Sequence, residues 1–156
     1  MDPLRCLIDS MIFDAIAGEP EILALLGRLT NAGRVELLAA PASIAQVAAT
    51  PDEYHRARLR RVRVLVVPPI DPEDPASVAT LLRLLRHPGI DEVDARIAAT
   101  AIRDRVPLVT EDRGLRAAIA MTAPDLELWG WPHDLRPRLL AADAPTAPPR
   151  WGPSGG

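Results

Sequence analysis

The chain has 156 residues, enough for one domain with a substantial core, and its 3% aromatic content means that Leu, Val, Ile and Ala must build that core. A net charge of −3 gives no whole-chain attraction toward nucleic acid. All 18 basic residues are Arg, and the lack of Lys excludes both a Walker A phosphate loop and Schiff-base catalysis by a lysine amine.

The first predicted element is a short apolar strand, "RCLID" (5–9). Helices follow at 11–17 and 20–32, the second carrying Ile22, Leu23, Leu25, Leu26 and Leu29 and stopped by "NAG", where Gly33 suits a left-handed cap. "VELLA" (35–39) is a second strand, and Ser43 starts a helix through 49 that Pro51 interrupts. A polar helix containing "DEYHRARLRR" leads to a β-branched strand, "VRVLVV" (62–67), which Pro68-Pro69 ends. The run "DPEDPASVATLLRLLRH" predicts a helix through 86, stopped by His87-Pro88-Gly89. A helix at 91–104, a strand at 106–110, a helix at 112–121 and a strand at 126–130 complete the alternation. Strands separated by helices indicate a three-layer α/β fold with a mainly parallel sheet. The expected domain is 1–131, followed by a Pro/Ala/Gly-rich tail over 132–156 that is disordered over part of its length.

Sites in parallel α/β sheets form beyond the carboxyl ends of the strands. Asp9 ends the first strand, Asp112 follows "PLVT", and Asp94 lies near the start of the helix that feeds that strand. Each has an ordinary alternative, since acids cap helices and favour their first turns. For Asp91 and Glu92 that structural role is the better reading. Asp94 differs, because Ile97, Ala98, Ala101 and Ile102 gather around its direction on the helix while Glu92, Arg96 and Arg103 point the other way. A carboxylate centred on a buried stripe is costly unless it is hydrogen-bonded, paired or bound to metal. Clustered carboxylates without Cys or a His pair select hard cations such as Mg2+ or Mn2+, and these suit phosphodiester hydrolysis.

Other signals point elsewhere. "YHRARLRRVR" reads first as a solvated helix face, with contact to RNA phosphates through Arg56 and Arg60 as the functional alternative. His55, His87 and His133 are too dispersed for a zinc site, and Cys6 is a core residue of the first strand. A lone Cys, no secretory leader pattern and no apolar run long enough for a membrane span make the cytoplasm the expected compartment.

The succession "CLIDSMIFD", "PASIAQVA" and "DEVDARIAATAIRDRVPLVTEDRGLR" resembles the PIN domain, and most of all the VapC-type ribonuclease toxins of bacterial toxin–antitoxin systems. The resemblance spans about residues 4–130 and is most specific in "DARIAATAIRDRVPLVTEDR". It implies a parallel five-stranded sheet and a Mg2+-dependent ribonuclease site of four acids, three of which are Asp9, Asp94 and Asp112. Thr110 and Ser10 match supporting positions. It further implies an RNA substrate, a small antitoxin partner and a homodimer. The fourth acid, usually a Glu, falls at Gln46, and Gly114 stands where many members carry a further acid. Compensation for Gln46 would come from Asp52 or Glu53 if the helix bends past Pro51, or from Asp91 as an auxiliary ligand. The departure at Gln46 opens the alternative of a degenerate PIN domain that binds RNA or a protein without cutting.

Overall fold

The computed structural model describes residues 2–144. Five parallel strands, β1 (Leu4–Ile8), β2 (Val35–Ala39), β3 (Leu65–Val66), β4 (Leu108–Val109) and β5 (Leu128–Trp129), form one sheet in the order β3-β2-β1-β4-β5. The helices are α1 (Ser10–Ala17), α2 (Pro20–Asn31), α3 (Pro41–Ala48), α4 (Glu53–Leu59), α5 (Pro75–Leu85), α6 (Glu92–Asp104), α7 (Arg113–Thr122) and α8 (Arg136–Ala142).

Strand alternation divides the core into the two halves of a three-layer α/β/α fold. Cys6 and Ile8 of β1 point to the face covered by α1, α2, α4 and α8, where Phe13, Ile16, Leu26 and Leu139 are buried. Leu7 points to the other face, against α5, α6 and α7, where Leu84, Ile97, Ala98, Leu115 and Ile119 are buried. The two small cores follow from the composition: Ala95, Ala98, Ala99 and Ala101 let α6 lie close to the sheet without aromatic bulk. Cys6 is a core residue as expected, and burial pushes its thiol up to about 12, so it is chemically quiet.

The outer strands are shorter than their apolar runs suggest. Within 62–67 only Leu65–Val66 is strand, with the Val67 amide adding one bond to Ala39 of β2, because Val62 turns into the core beside Leu59 before the edge strand begins. Within 106–110 and 126–130, only Leu108–Val109 and Leu128–Trp129 are strand. Helix α3 starts at Pro41, ahead of Ser43, since Pro at the first helical position needs no amide donor. Gly33 has the left-handed conformation expected of it, with φ of 71°.

The largest difference is at the C-terminal side. Residues 131–135 form a wide helical turn that runs into α8, and Leu135 and Leu139 are fully buried in the first core, so the packed body extends past 131. Proline content concealed this helix, but Pro132 and Pro137 both sit in first-turn positions where a missing N–H is harmless. The rest of the expected tail, 145–156, lies outside the described residues.

From β1 the chain adds β2 and β3 on one side, then crosses back to place β4 on the other side of β1. The strand order therefore reverses between β1 and β4, the position where the carboxyl edge of such sheets opens a crevice.

Candidate active site

At that reversal the chain leaves β1 through Asp9 and β4 through Thr110. Asp9 is only 6% exposed and caps α1, its Oδ1 accepting from the Met11 amide at 2.8 Å. The fully buried Thr110 hydroxyl donates to Asp9 Oδ2 at 2.5 Å and accepts from the Asp112 amide at 3.2 Å. One hydroxyl thus ties together the ends of two adjacent strands. Asp112 caps α7, its Oδ1 accepting from Leu115 at 3.0 Å. Arg116, one turn further on, fixes the Thr110 carbonyl at 3.0 Å.

Asp91 and Asp94 divide the start of α6 between them. Asp91 is an exposed cap whose Oδ1 accepts from the Asp94 amide at 2.8 Å. A reciprocal capping box would return the Asp94 carboxylate to the Asp91 amide. Among the described residues the Asp94 carboxylate receives no hydrogen bond at all, although it is half-buried. Burial, reinforced by the charges of Asp91, Asp112 and Asp9, pushes the Asp94 carboxyl up to about 6. Burial also raises Asp9 above the usual carboxylate range, against the lowering effect of its bonds from Thr110 and Met11 and with a further push from Asp112. Asp9, Asp94 and Asp112 are therefore near enough to feel one another's charge.

Other predicted members sit differently. Ser10 begins α1 half-exposed and makes no side-chain hydrogen bond to a described residue. Gln46 is exposed on α3, likewise without a bonded partner among the described residues. Asp52 does not compensate for it, because its carboxylate caps α4 through the amides of Tyr54 and His55. Glu53 is exposed in the first turn of α4. Arg56 is partly occupied, donating to the Thr50 carbonyl at 2.8 Å, whereas Arg60 is exposed. A Cβ on Gly114 would lie 3.4 Å from Asp112 Oδ1, so position 114 borders the acids although it contributes none.

Two residues were missed by sequence reasoning. Arg116 stands four positions after Asp112, a helical spacing that could have drawn attention to it. Ser43 is fully buried on α3, and its hydroxyl is without a partner among the described residues. Helix α3 touches both α1 and α6, the helices that carry Asp9 and Asp94, so this hydroxyl is buried at the same end of the sheet. A serine in an alanine-rich turn gives no sequence signal of that kind.

The donor chemistry fits a hard divalent cation: oxygen ligands only, mutually repelling, with an unbonded carboxylate at Asp94. Among the described residues, no three carboxylate, imidazole or thiol groups are already gathered as a metal-ligand set. The acids feel one another's charge without being drawn together, so a cation would have to close the arrangement.

Comparison with known proteins bears on family and fold. The PIN domain family model matches residues 8–119, a span that includes all three acids. Among curated proteins none matches the chain. The structure of VapBC2 from Rickettsia felis bound to a DNA fragment from their promoter is similar at 16% identity, covering 81% of this chain and 98% of that one with a TM-score of 0.56. FitAcB from Neisseria gonorrhoeae is similar at 18% identity, covering 80% and 96% with a TM-score of 0.49. At such identities the first likeness establishes the fold.

Proposed function

Because this chain belongs to the PIN domain family, we propose that it is a Mg2+- or Mn2+-dependent endoribonuclease that hydrolyses RNA phosphodiesters as the toxin of a toxin–antitoxin pair. The observation that carries this reading is the Asp94 carboxylate, half-buried, unbonded and raised to about 6 partly by the charges of Asp91, Asp112 and Asp9. A purely structural acid at a helix start gains from the dipole and from its hydrogen bonds; this one gains neither a bond nor a cationic partner among the described residues.

Asp9, Asp94 and Asp112 would hold the cation, with Asp91 at its margin. The chemistry such an ion supplies is activation of water and neutralisation of phosphoryl charge. The chain's own contributions are positional. Thr110 fixes the Asp9 carboxylate through Oδ2, and the α1 cap fixes it through Oδ1, so Asp9 is held at both oxygens. Asp112 keeps one oxygen on its cap and has the other available. Asp94, free of bonds, is the acid able to move toward a ligand.

The toxin role, the small antitoxin and the homodimer rest on the resemblance to VapC-type proteins, and a cytoplasmic location rests on the lone cysteine, Cys6. Among the described residues no helix is long and apolar enough to cross a membrane.

A ribonuclease assay with Mg2+ or Mn2+ on wild type and Asp94→Asn tests the reading. Metal-dependent cleavage should be present in the first and lost in the second. Equal activity in both would remove Asp94 from the site. The second reading, a PIN domain that binds RNA or protein without cutting, is favoured by Gln46 at the position of the fourth acid and by its exposure. Calorimetry with Mn2+ separates the two: no metal binding and no cleavage in wild type would establish the second.

A further inference from the structure

We infer that α4 and the segment leading into β3 form a track for single-stranded RNA, on which arginines follow the phosphates and Tyr54 stacks a base next to the acidic edge. This extends the nucleic-acid reading of the acids by giving the strand a direction across the surface.

The direction comes from α1, which starts at Asp9 and serves as a ruler. His55 Nε2 meets Asp14 Oδ1 at 2.5 Å, and Arg58 donates to the Ala17 carbonyl at 3.0 Å. Later residues of α4 thus meet later residues of α1, and the two helices lead away from Asp9 together. Arg63 continues the line to Asn31 Oδ1 at the end of α2, at 3.0 Å. From Ser10 to Ala17 alone the path covers about 10 Å.

Charge is unbalanced along this path. Arg5, Arg28, Arg96, Arg103, Arg136 and Arg138 each have a carboxylate partner. None of Arg56, Arg58, Arg60, Arg61 and Arg63 does among the described residues, nor do Arg34, Arg83, Arg86, Arg105, Arg113 and Arg116; what sets the five apart is their crowding within eight residues, against only Asp14, Asp52 and Glu53 along the same path. Three of them are held by neutral oxygens, of Thr50, Ala17 and Asn31, which orient a guanidinium without cancelling its charge. Arg60 and Arg61 are exposed, and their side chains bond to no described residue, so carbonyl capping cannot account for them. Like charges crowded along one segment repel one another, and a polyanion relieves that repulsion while guanidinium forks match phosphate oxygens.

Tyr54 decides for nucleic acid over an acidic protein segment. It sits in the first turn of α4, at the end nearest Asp9, and is 75% exposed. An aromatic ring beside a basic groove is the arrangement that holds single strands without reading sequence, one element for bases and the other for backbone.

Fluorescence anisotropy with a labelled single-stranded RNA of about 12 nucleotides, within the usual site size, tests this in EDTA, where no cleavage can occur. Arg60→Gln/Arg61→Gln should weaken binding about tenfold or more and lower the slope of log affinity against log salt by about 1.4, or 0.7 for each phosphate contact removed. Tyr54→Ala should weaken it roughly five- to hundredfold, the contribution of one stacked base. Arg83→Gln/Arg86→Gln, the same charge change on exposed positions at the end of α5, is the control and should leave the slope near wild type. A track variant that behaves like this control overturns the inference, as does a wild type that binds a polyglutamate peptide and not RNA. The nuclease reading fails separately: RNA bound along the track but never cut with Mg2+ or Mn2+ removes that reading and leaves the track standing.

Discussion

Glu111 and Asp112 are neighbours in the chain, yet they belong to regions built on opposite electrostatic rules. Glu111 accepts from the Trp131 amide and so fastens the C-terminal turn. Around it the anchor satisfies its acids: Glu19 pairs with Arg136 at 2.9 Å, Asp134 accepts from the Gly130 amide at 2.8 Å, and Arg138 lies 4.2 Å over the ring of Trp129. Asp112 instead adds its charge to the field at Asp9 and Asp94, and none of the three has a cationic partner among the described residues. Satisfied acids hold a structure together, whereas acids held against like charges cost stability that hydrogen bonds offset in part and a cation would offset further. Mutations should therefore separate the two regions by what they change.

The largest expected effect is at the edge. Asp9→Asn should lower metal-dependent cleavage by about a hundredfold or more in a ribonuclease assay while the protein stays folded by circular dichroism. Loss of fold in that variant would move Asp9 to the structural side of the comparison. In the anchor, Leu139→Ala should cost about 2–5 kcal/mol in a denaturant titration and leave cleavage per folded molecule unchanged. A matching fall in cleavage would mean that the two regions are coupled. Thr110→Val keeps shape but removes the donor to Asp9, and about a ten- to hundredfold fall in cleavage is expected, with Thr110→Ser restoring it. Failure of the serine to restore activity would show that the methyl group, not the hydroxyl, matters there.

Gln46→Glu adds the fourth acid and should tighten Mn2+ binding by about tenfold in calorimetry. No change would mean that position 46 lies outside the metal's reach. The smallest effect concerns stability and pH. The folded-state value of Asp94 is raised, to about 6, so the folded form binds its proton more readily than the unfolded form. Stability from this group is lost as pH rises from the ordinary carboxylate value toward 6, and none remains above it. In EDTA, Asp94→Asn should accordingly melt a few degrees at most above wild type at pH 8 and equal to it near pH 3. A lower melting temperature at pH 8 would contradict the charge repulsion read at the edge.

Most of the elements were legible because periodicity and punctuation agreed. β2 coincides with "VELLA", and α6 shows the buried face that Ile97, Ala98 and Ala101 predicted. The outer strands were over-read, since β-branched runs do not reveal how many residues find a partner at a sheet edge. Helix α8 was missed because a proline-rich segment looks like a tail until its prolines are seen in first turns. In the site, Asp9, Asp94 and Asp112 could be chosen from strand ends and helix projection. Arg116, the buried Ser43 hydroxyl and the two bonds that fix Asp9 could not be chosen, because they depend on distances between segments far apart in sequence.

By itself the sequence determined the alternation of strands and helices, the alanine face of α6 and the acids at the carboxyl edge, because each is a local pattern of side chains on a regular backbone. It also placed "YHRARL" on a helix, but could not distinguish a solvated face from a track. Tertiary structure alone decided that Thr110 joins Asp9 to the β4 end and that, among the described residues, Asp94 is left unbonded among like charges and Arg56, Arg58, Arg60, Arg61 and Arg63 lack carboxylate partners. Those facts are relations between segments brought together by folding, and charge and desolvation act through space, not along the chain.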